Sequence, residues 1–153
     1  MPKGLYRRQD TGDLHFITIS CHRHAHILKS PEACNTLQQI LEETRQKYHF
    51  QILGYVFMSN HVHLLVTEPD GNKLATAIQV LKQRFSRTRT AEFVWEPRYH
   101  DFNVFTEAKR TEKLRYMHRN PVKAGIVERP QDWPWSSFNA YATSEPQPVQ
   151  ITR

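Results

Sequence analysis

The chain has 153 residues, of which 39% are hydrophobic and 24% charged, as is typical of a globular protein with one hydrophobic core. Its net charge of +6 and isoelectric point near 9.5 favour an anionic partner, most often nucleic acid and less often an anionic membrane surface. No apolar segment is long enough to span a membrane, and the first residues lack the apolar stretch of a signal peptide, so we predict a cytoplasmic protein.

Seven predicted elements follow along the chain in the order strand, helix, strand, strand, helix, strand, helix. Segments rich in β-branched, aromatic or continuously apolar residues predict the strands, and apolar residues at helical spacing predict the helices. The triplet Ser30-Pro31-Glu32 supplies a cap, a first-turn proline and an acid to the start of the first helix. The predicted strands are 14–21, 50–58, 61–67 and 98–105, and the predicted helices are 31–48, 72–88 and 107–120.

The C-terminal part of the chain is less regular. Pro121 is predicted to end the third helix, because a proline inside a helix removes a hydrogen bond and crowds the preceding turn. Residues from about 143 to 153 are polar and proline-containing, and we predict a disordered tail there. The chain as a whole, 1–153, is predicted to be one α+β domain: an antiparallel sheet with two helices on one face in a split βαβ arrangement, and a third helix added at the end.

Two histidines stand out in the stretch MSNHVHLLVTE, residues 58–68. Because strand side chains alternate, His61 and His63 are expected to share one face of the sheet, while Val62 and Leu64 face the helices. Two neutral imidazoles two residues apart can hold one divalent ion. They can equally lie on a half-exposed sheet surface, so a third ligand would have to be found before a metal site is favoured.

The third predicted helix offers such a ligand. Tyr116 and Asn120 are four residues apart and share a face, while Leu114 and Met117 are predicted to pack against the sheet. A phenol is a weak nucleophile at neutral pH, and neighbouring cations would favour the phenolate and hold a phosphate for attack. A tyrosine at this position can also be a plain amphipathic residue at the core edge. The cations near Tyr116 in sequence are Lys113, Arg115, His118 and Arg119.

Taken together, four motifs favour a functional over a purely structural role for the histidines and the tyrosine. They are NHVHLLV at 60–66, RYHD at 98–101, LRYMHRNPVKAGIV at 114–127 and WPWSSF at 133–138. In this order they resemble the REP-associated tyrosine transposases, a branch of the HUH single-tyrosine transposases, over about residues 5 to 142. The resemblance implies a ferredoxin-like HUH fold with an added tyrosine-bearing helix. It also implies a partner, single-stranded DNA that carries hairpins of the REP palindrome type, and a location at the bacterial nucleoid.

The resemblance further implies roles for individual residues. Tyr116 would attack a DNA phosphodiester and form a 5′-phosphotyrosine, which leaves a free 3′-OH. His61 and His63 would be the HUH pair that holds Mg²⁺ or Mn²⁺, with Asn120 as the third metal ligand. We expect a monomer, with a homodimer that exchanges the tyrosine helix as the alternative.

Basic residues in several segments are candidates for DNA contact, although a run of charges can also be a solvated face. The alternative functions are a non-catalytic protein that binds hairpin DNA or RNA on the same fold, and a histidine-motif phosphodiesterase. The latter would need a third histidine where Leu65 stands. Tyr99 is a second candidate nucleophile but lacks a basic helical face. The predicted DNA-binding residues are Arg7, Arg8, Lys82, Arg84, Arg87, Arg98, Arg115, Arg119 and Lys123.

Overall fold

The structure is a computed structural model and describes residues 13–153. It contains the four predicted strands and the three predicted helices in the predicted order, and a fourth, short α-helix near the C-terminus. The strands are β1 (Leu14–Ser20), β2 (Ile52–Phe57), β3 (His61–Val66) and β4 (His100–Val104). The helices are α1 (Pro31–Tyr48), α2 (Leu74–Ser86), α3 (Glu107–Lys123) and α4 (Phe138–Ala142).

The strands form one antiparallel sheet in the order β2-β3-β1-β4, so β3 and β1 are central. The β2–β3 hairpin is closed by a bond from the Met58 backbone N–H to the His61 carbonyl oxygen (2.8 Å). This pairing confirms the predicted α+β class. It also fixes the register that decides which side chains reach each face of the sheet.

One face of the sheet, which we call the helical face, packs on α1 and α2. Ile17, Val62 and Leu64 are at most 1% exposed there and lie in one cluster with the apolar stripes of both helices. The predicted start of α1 is confirmed, because Ser30 Oγ accepts a hydrogen bond from the Ala33 backbone N–H (3.1 Å) and Pro31 lies in the first turn.

The opposite face, the histidine face, carries α3. A smaller cluster that includes Leu65 and Met117 joins the helix to the sheet. Gly54 on β2 permits the close approach: a Cβ there would lie 2.6 Å from Leu114 Cδ2 and 2.8 Å from Met117 Cε. The predicted packing side of α3 is therefore the observed one, and Tyr116, on another side of the helix, stays 49% exposed.

The prediction that Pro121 ends α3 is wrong. The helix continues to Lys123 with the proline inside it. Only one intrahelical bond is lost at a proline, and the last turn is held by bonds from the Ala124 N–H to the Asn120 oxygen (2.9 Å) and from the Ile126 N–H to the Pro121 oxygen (3.0 Å).

The prediction of a disordered tail is also wrong. Val149 is fully buried in the cluster of the helical face, and the Thr152 backbone N–H donates to the Ile52 oxygen (2.9 Å). The Gln150 N–H donates to a Glu42 carboxylate oxygen on α1 (3.0 Å). The tail is ordered by one apolar anchor and several backbone hydrogen bonds, and its polar composition does not reveal either.

No helix among residues 13–153 has the length and apolar character needed to cross a bilayer.

Candidate active site on the histidine face

The site begins with the register of the two central strands. Thr18 on β1 lies directly opposite His63 on β3, and Ser20 lies opposite His61. Both imidazoles therefore point to the histidine face, as predicted from strand alternation. Their ring centres are 4.8 Å apart and the rings meet edge to face.

Each imidazole is oriented by a hydrogen bond at Nδ1. His61 Nδ1 donates to Asn60 Oδ1 (2.7 Å), and His63 Nδ1 lies 2.9 Å from Thr18 Oγ1, which can accept. With the Nδ1 proton used in this way, Nε2 of each ring keeps its lone pair. Histidine ligands of metal ions are commonly oriented by a partner on the other ring nitrogen.

Burial keeps both rings neutral at pH 7. It lowers the pKa of His63 to about 3, with further contributions from His61 and the Lys113 ammonium. Burial also lowers the pKa of His61, with a smaller contribution from His24. A neutral imidazole is the form that binds a metal ion, so the pair is available as ligands at physiological pH.

The tyrosine of α3 meets this pair within one chain. The ring centre of Tyr116 lies 5.3 Å from that of His63, and 6.2 Å from that of Phe16 on β1. The ring is half exposed, so a large substrate can reach it. The nucleophile candidate and the histidine pair, 53 residues apart in sequence, are neighbours because α3 packs back onto β2 and β3.

Asn120 lies one helical turn beyond Tyr116. Both residues line a surface cavity of about 670 Å³ along α3, and the same cavity is lined by three cations: Arg115, Arg119 and Lys123. A basic lining beside a half-exposed phenol suits a polyanionic ligand. Of the four cations predicted around Tyr116, His118 does not lie beside it. It turns to the other side of α3, where its Nε2 lies 2.8 Å from Ser137 Oγ, and burial lowers its pKa to about 4.

The polar atoms at the centre of the site fit a metal ion. His63 Nε2 is buried and has no hydrogen-bond partner, which is costly unless another group, such as a cation, meets its lone pair. Asn120 Nδ2 is likewise buried without a partner, and a half-turn of the carboxamide would place its oxygen there. Among residues 13–153 no group of three or more His, Cys, Asp and Glu side chains could hold a metal, so the histidine pair needs a ligand of another type.

The remaining predicted DNA-binding residues fall into three groups. Lys82 Nζ donates to the backbone carbonyl oxygen of Glu96 (2.9 Å), and Arg84 forms an ion pair with Glu43 (2.5 Å), so both side chains have partners within the protein. Arg87 and Arg98 are exposed and line a second cleft, of about 760 Å³, between α2 and the segment before β4. Arg7 and Arg8 lie outside the described residues.

Two alternatives from the sequence lose support. Tyr99 is only 7% exposed and belongs to the cluster of the helical face, away from the histidines. Leu65, in the position of a third histidine, is fully buried under α3.

No sequence pattern indicated the residues that orient His63. Thr18 and Phe16 are distant in sequence from His63, yet one is within hydrogen-bond distance of its Nδ1 and the other stacks on it at 5.2 Å. Only the pairing of β1 with β3 brings them together.

A histidine-x-histidine pair on a central strand of a four-stranded antiparallel sheet, with a helical tyrosine packed beside it on the same face, defines the single-tyrosine HUH class of DNA-processing enzymes. The comparisons with known proteins agree. The chain belongs to the family of IS200-like transposases, whose sequence model matches residues 9–120.

The proteins that the chain resembles are named REP-associated tyrosine transposases. A protein of Haemophilus influenzae named "Putative REP-associated tyrosine transposase" is 28% identical over 94% of this chain and 90% of its own length. The REP-associated tyrosine transposase of Escherichia coli K12 is 25% identical over 67% of this chain and 63% of its own length. The fold matches a solved REP-associated tyrosine transposase bound to a REP hairpin, with a TM-score of 0.80 and 22% identity, over 100% of this chain and 93% of that one. The predicted resemblance is confirmed.

Proposed function

We propose that this protein cleaves and rejoins single-stranded DNA beside REP-type hairpins, with Tyr116 as the nucleophile. The observation that carries the proposal is the 5.3 Å approach of the Tyr116 and His63 rings within one chain. The similar transposase structure is bound to a REP hairpin, which supports the choice of DNA. The proposed place of action is the bacterial nucleoid.

The proposed reaction conserves the phosphodiester energy. The Tyr116 phenol oxygen forms a bond to phosphorus and the bond from phosphorus to the 3′ oxygen breaks. The phenol proton ends on that oxygen, which becomes a free 3′-OH, and the DNA 5′ end remains on the protein as a phosphotyrosine. Attack by another 3′-OH reverses these steps and rejoins DNA without an external energy source.

His61, His63 and Asn120 are proposed to hold the divalent ion, Mg²⁺ or Mn²⁺. When bound, such an ion polarises the scissile phosphate as a Lewis acid. The orphaned His63 Nε2 and the buried Asn120 carboxamide support this ligand set. Imidazole ligands suit manganese better than magnesium, so we expect higher activity with manganese at low metal concentration.

Arg115, Arg119 and Lys123 are proposed to hold the DNA backbone beside Tyr116, because they share its cavity. Arg87 and Arg98 are proposed as a second contact, because both are exposed and line one cleft. Lys82 and Arg84 are weaker candidates, since DNA would have to displace their present partners.

A monomer is the proposed active form. One chain completes the juxtaposition of histidines and tyrosine, so exchange of α3 between two chains is not needed to build the site. Sedimentation of the protein with and without DNA would test this, and an active species of twice the chain mass would favour the helix-exchanged dimer.

The test of the nuclease is covalent capture. The protein would be mixed with labelled single-stranded REP hairpin DNA and manganese, magnesium or EDTA, and separated on denaturing gels. We expect a metal-dependent protein–DNA band that is lost in Tyr116→Phe and in His61→Ala/His63→Ala. Tyr99→Phe is the matched control and should keep the band, because Tyr99 is buried on the helical face.

The alternatives predict different results. If the hairpin binds but no band forms on any of several REP sequences, the protein is a non-catalytic binder on a transposase fold. If DNA is cut without a covalent intermediate and Tyr116→Phe remains active, the histidine-motif phosphodiesterase is the better description.

A further inference from the structure

We propose that Phe102 and Lys113, together called the β4 platform, form a subsite that takes one unpaired nucleotide of the DNA strand next to the scissile phosphate. The base would stack on the Phe102 ring and the Lys113 ammonium would contact a phosphate. This inference rests on the proposed function for its ligand, single-stranded DNA, and adds a positioning site to it.

The strand register places the platform beside the nucleophile. Phe102 on β4 lies directly opposite Phe16 on β1, so both rings are on the histidine face. The Phe16 ring is stacked on His63 (5.2 Å, 19°) and meets Tyr116 edge-on at 6.2 Å. Phe102 is therefore one strand away from a ring that touches both the histidine pair and the tyrosine.

The part of this face around Phe102 is exposed. β4 is an edge strand, and α3 packs mainly over β2 and β3, on the other side of the sheet centre. At the end of β4 Val104 is buried in the cluster that includes Met117 of α3, whereas the Phe102 side chain is 49% exposed. His100, two residues earlier on the same face, is exposed as well. A nucleobase can thus reach the ring without any movement of α3.

Lys113 supplies the charge. Its Nζ lies 4.9 Å from the ring centre of Phe16 and 4.8 Å from that of Phe102, so the ammonium interacts with both rings. It forms no ion pair with any residue in the described part of the chain. An ammonium next to an exposed aromatic ring is complementary to a phosphate and its base.

The chemistry of single-stranded DNA explains why the two residues would act together. Its bases lack a complementary strand and stack on exposed aromatic rings with little sequence preference, while cations track the backbone. An isolated exposed phenylalanine needs no explanation by function. Phe102 differs because it contacts Lys113, which contacts Phe16, and the Phe16 ring lies against Tyr116.

The platform can be tested by fluorescence in the Tyr116→Phe background, which keeps the ring but cannot form the covalent bond. The probe is a hairpin oligonucleotide with an oligo(dT) flank in which one thymidine at a time is replaced by 2-aminopurine. Stacking of this base on an aromatic ring quenches its emission. We expect quenching at one flank position, and a loss of that quenching with about 10-fold weaker binding in Phe102→Ala and Phe102→Leu.

Matched variants separate stacking from folding. Phe102→Trp should keep the quenching, because it keeps an aromatic face. Phe93→Ala removes another exposed phenylalanine, which contacts His22 rather than the platform, and should leave the quenching at that position unchanged. Lys113→Gln should lower the salt dependence of binding by about one phosphate contact.

The platform is overturned if no flank position is quenched, or if Phe102→Ala and Phe102→Leu both match the parent protein in quenching and affinity. Covalent capture on the same DNA with unsubstituted protein reports the proposed function separately. A Phe102-dependent signal without a covalent band would keep the platform and reject cleavage. A covalent band with a signal indifferent to Phe102 would keep cleavage and reject the platform.

Discussion

The two faces of the sheet are built for different purposes. On the helical face, apolar residues such as Ile17 and Leu64 are fully buried against α1 and α2. On the histidine face, α3 covers only part of the sheet and leaves buried polar atoms without partners at His63 and Asn120. The helical face also holds such an atom, Asp101 Oδ2, but the other oxygen of that carboxylate is bonded to His15, whereas His63 Nε2 and Asn120 Nδ2 belong to the proposed metal ligands. The comparison indicates that stability resides mainly on one face and chemistry on the other.

The largest loss of activity without loss of stability is expected from Tyr116→Phe. Loss of the phenol oxygen should reduce covalent DNA capture by at least about 10³-fold, because no other tyrosine ring among residues 13–153 contacts the histidine pair. The urea midpoint should stay within error of the parent protein, since the removed hydroxyl belongs to a half-exposed side chain. A large loss of stability would show that the two roles are not separated between the faces.

The reverse effect is expected from Leu64→Ala. Leu64 is fully buried on the helical face, between the two helices and the sheet, and its truncation should lower the free energy of unfolding by about 2–5 kcal/mol. Urea denaturation measures this. Protein that remains folded at low temperature should still form the covalent band, and a specific loss of activity per folded molecule would contradict the division.

Gly54→Ala should affect the junction between the faces. The added Cβ would lie 2.6 Å from Leu114 Cδ2 and 2.8 Å from Met117 Cε, so either these side chains or α3 as a whole must shift. We expect about 10-fold slower covalent capture with little loss of stability, because small displacements of a reacting group are costly to catalysis. An unchanged rate would show that the position of α3 is set by other contacts, such as that of His118 with Ser137.

The buried histidines of the two faces should respond to pH in opposite directions. On the histidine face, burial lowers the pKa of His63 to about 3, and on the packing side of α3 it lowers that of His118 to about 4. The unfolded chain then binds more protons below about pH 6.5, so the free energy of unfolding should fall as pH drops from 6.5 towards 4, by at most about 1.4 kcal/mol per pH unit for each histidine.

His15, on the helical face, should behave differently. Burial alone would lower its pKa, but hydrogen bonds to Asp101 (2.7 Å) and Glu68 (2.9 Å) and the charges of these acids raise it above the ordinary value. Its contribution is therefore full below about pH 6.5 and is lost as pH rises through the raised pKa. The stability difference between the parent protein and His15→Gln, measured by urea denaturation at pH 6 and pH 9, should be larger at pH 6.

The smallest effects are expected from surface cations. Arg84→Gln breaks an exposed pair with Glu43 and should change stability by less than about 1 kcal/mol, without altering the salt dependence of DNA binding. Arg119→Gln should leave stability unchanged and lower the salt slope by about one contact. A salt slope for Arg119→Gln equal to that of the parent protein would show that Arg119, in the basic cavity along α3, does not hold the DNA backbone.

Local patterns predicted much of this molecule. The start of α1 followed from Ser30 and Pro31, and the shared face of His61 and His63 followed from strand alternation. Two predictions failed, one because of local bonds and the other because of a contact with a distant part of the chain. Pro121 is tolerated inside α3 because the last turn is closed by other bonds, and the tail is ordered because Val149 enters the core.

The sequence by itself determined the order of elements, the α+β class, the histidine pair and the candidate tyrosine, because these depend on residue types and periods along a few turns or strand residues. The tertiary structure decided that Tyr116 meets His63 of the same chain, that Thr18 and Phe16 orient that histidine, and that Phe102 and Lys113 lie next to them. Apart from the contact of Lys113 with Phe102, these contacts join residues 45 or more positions apart. Sheet register and the docking of α3 create them, and no local pattern encodes either one.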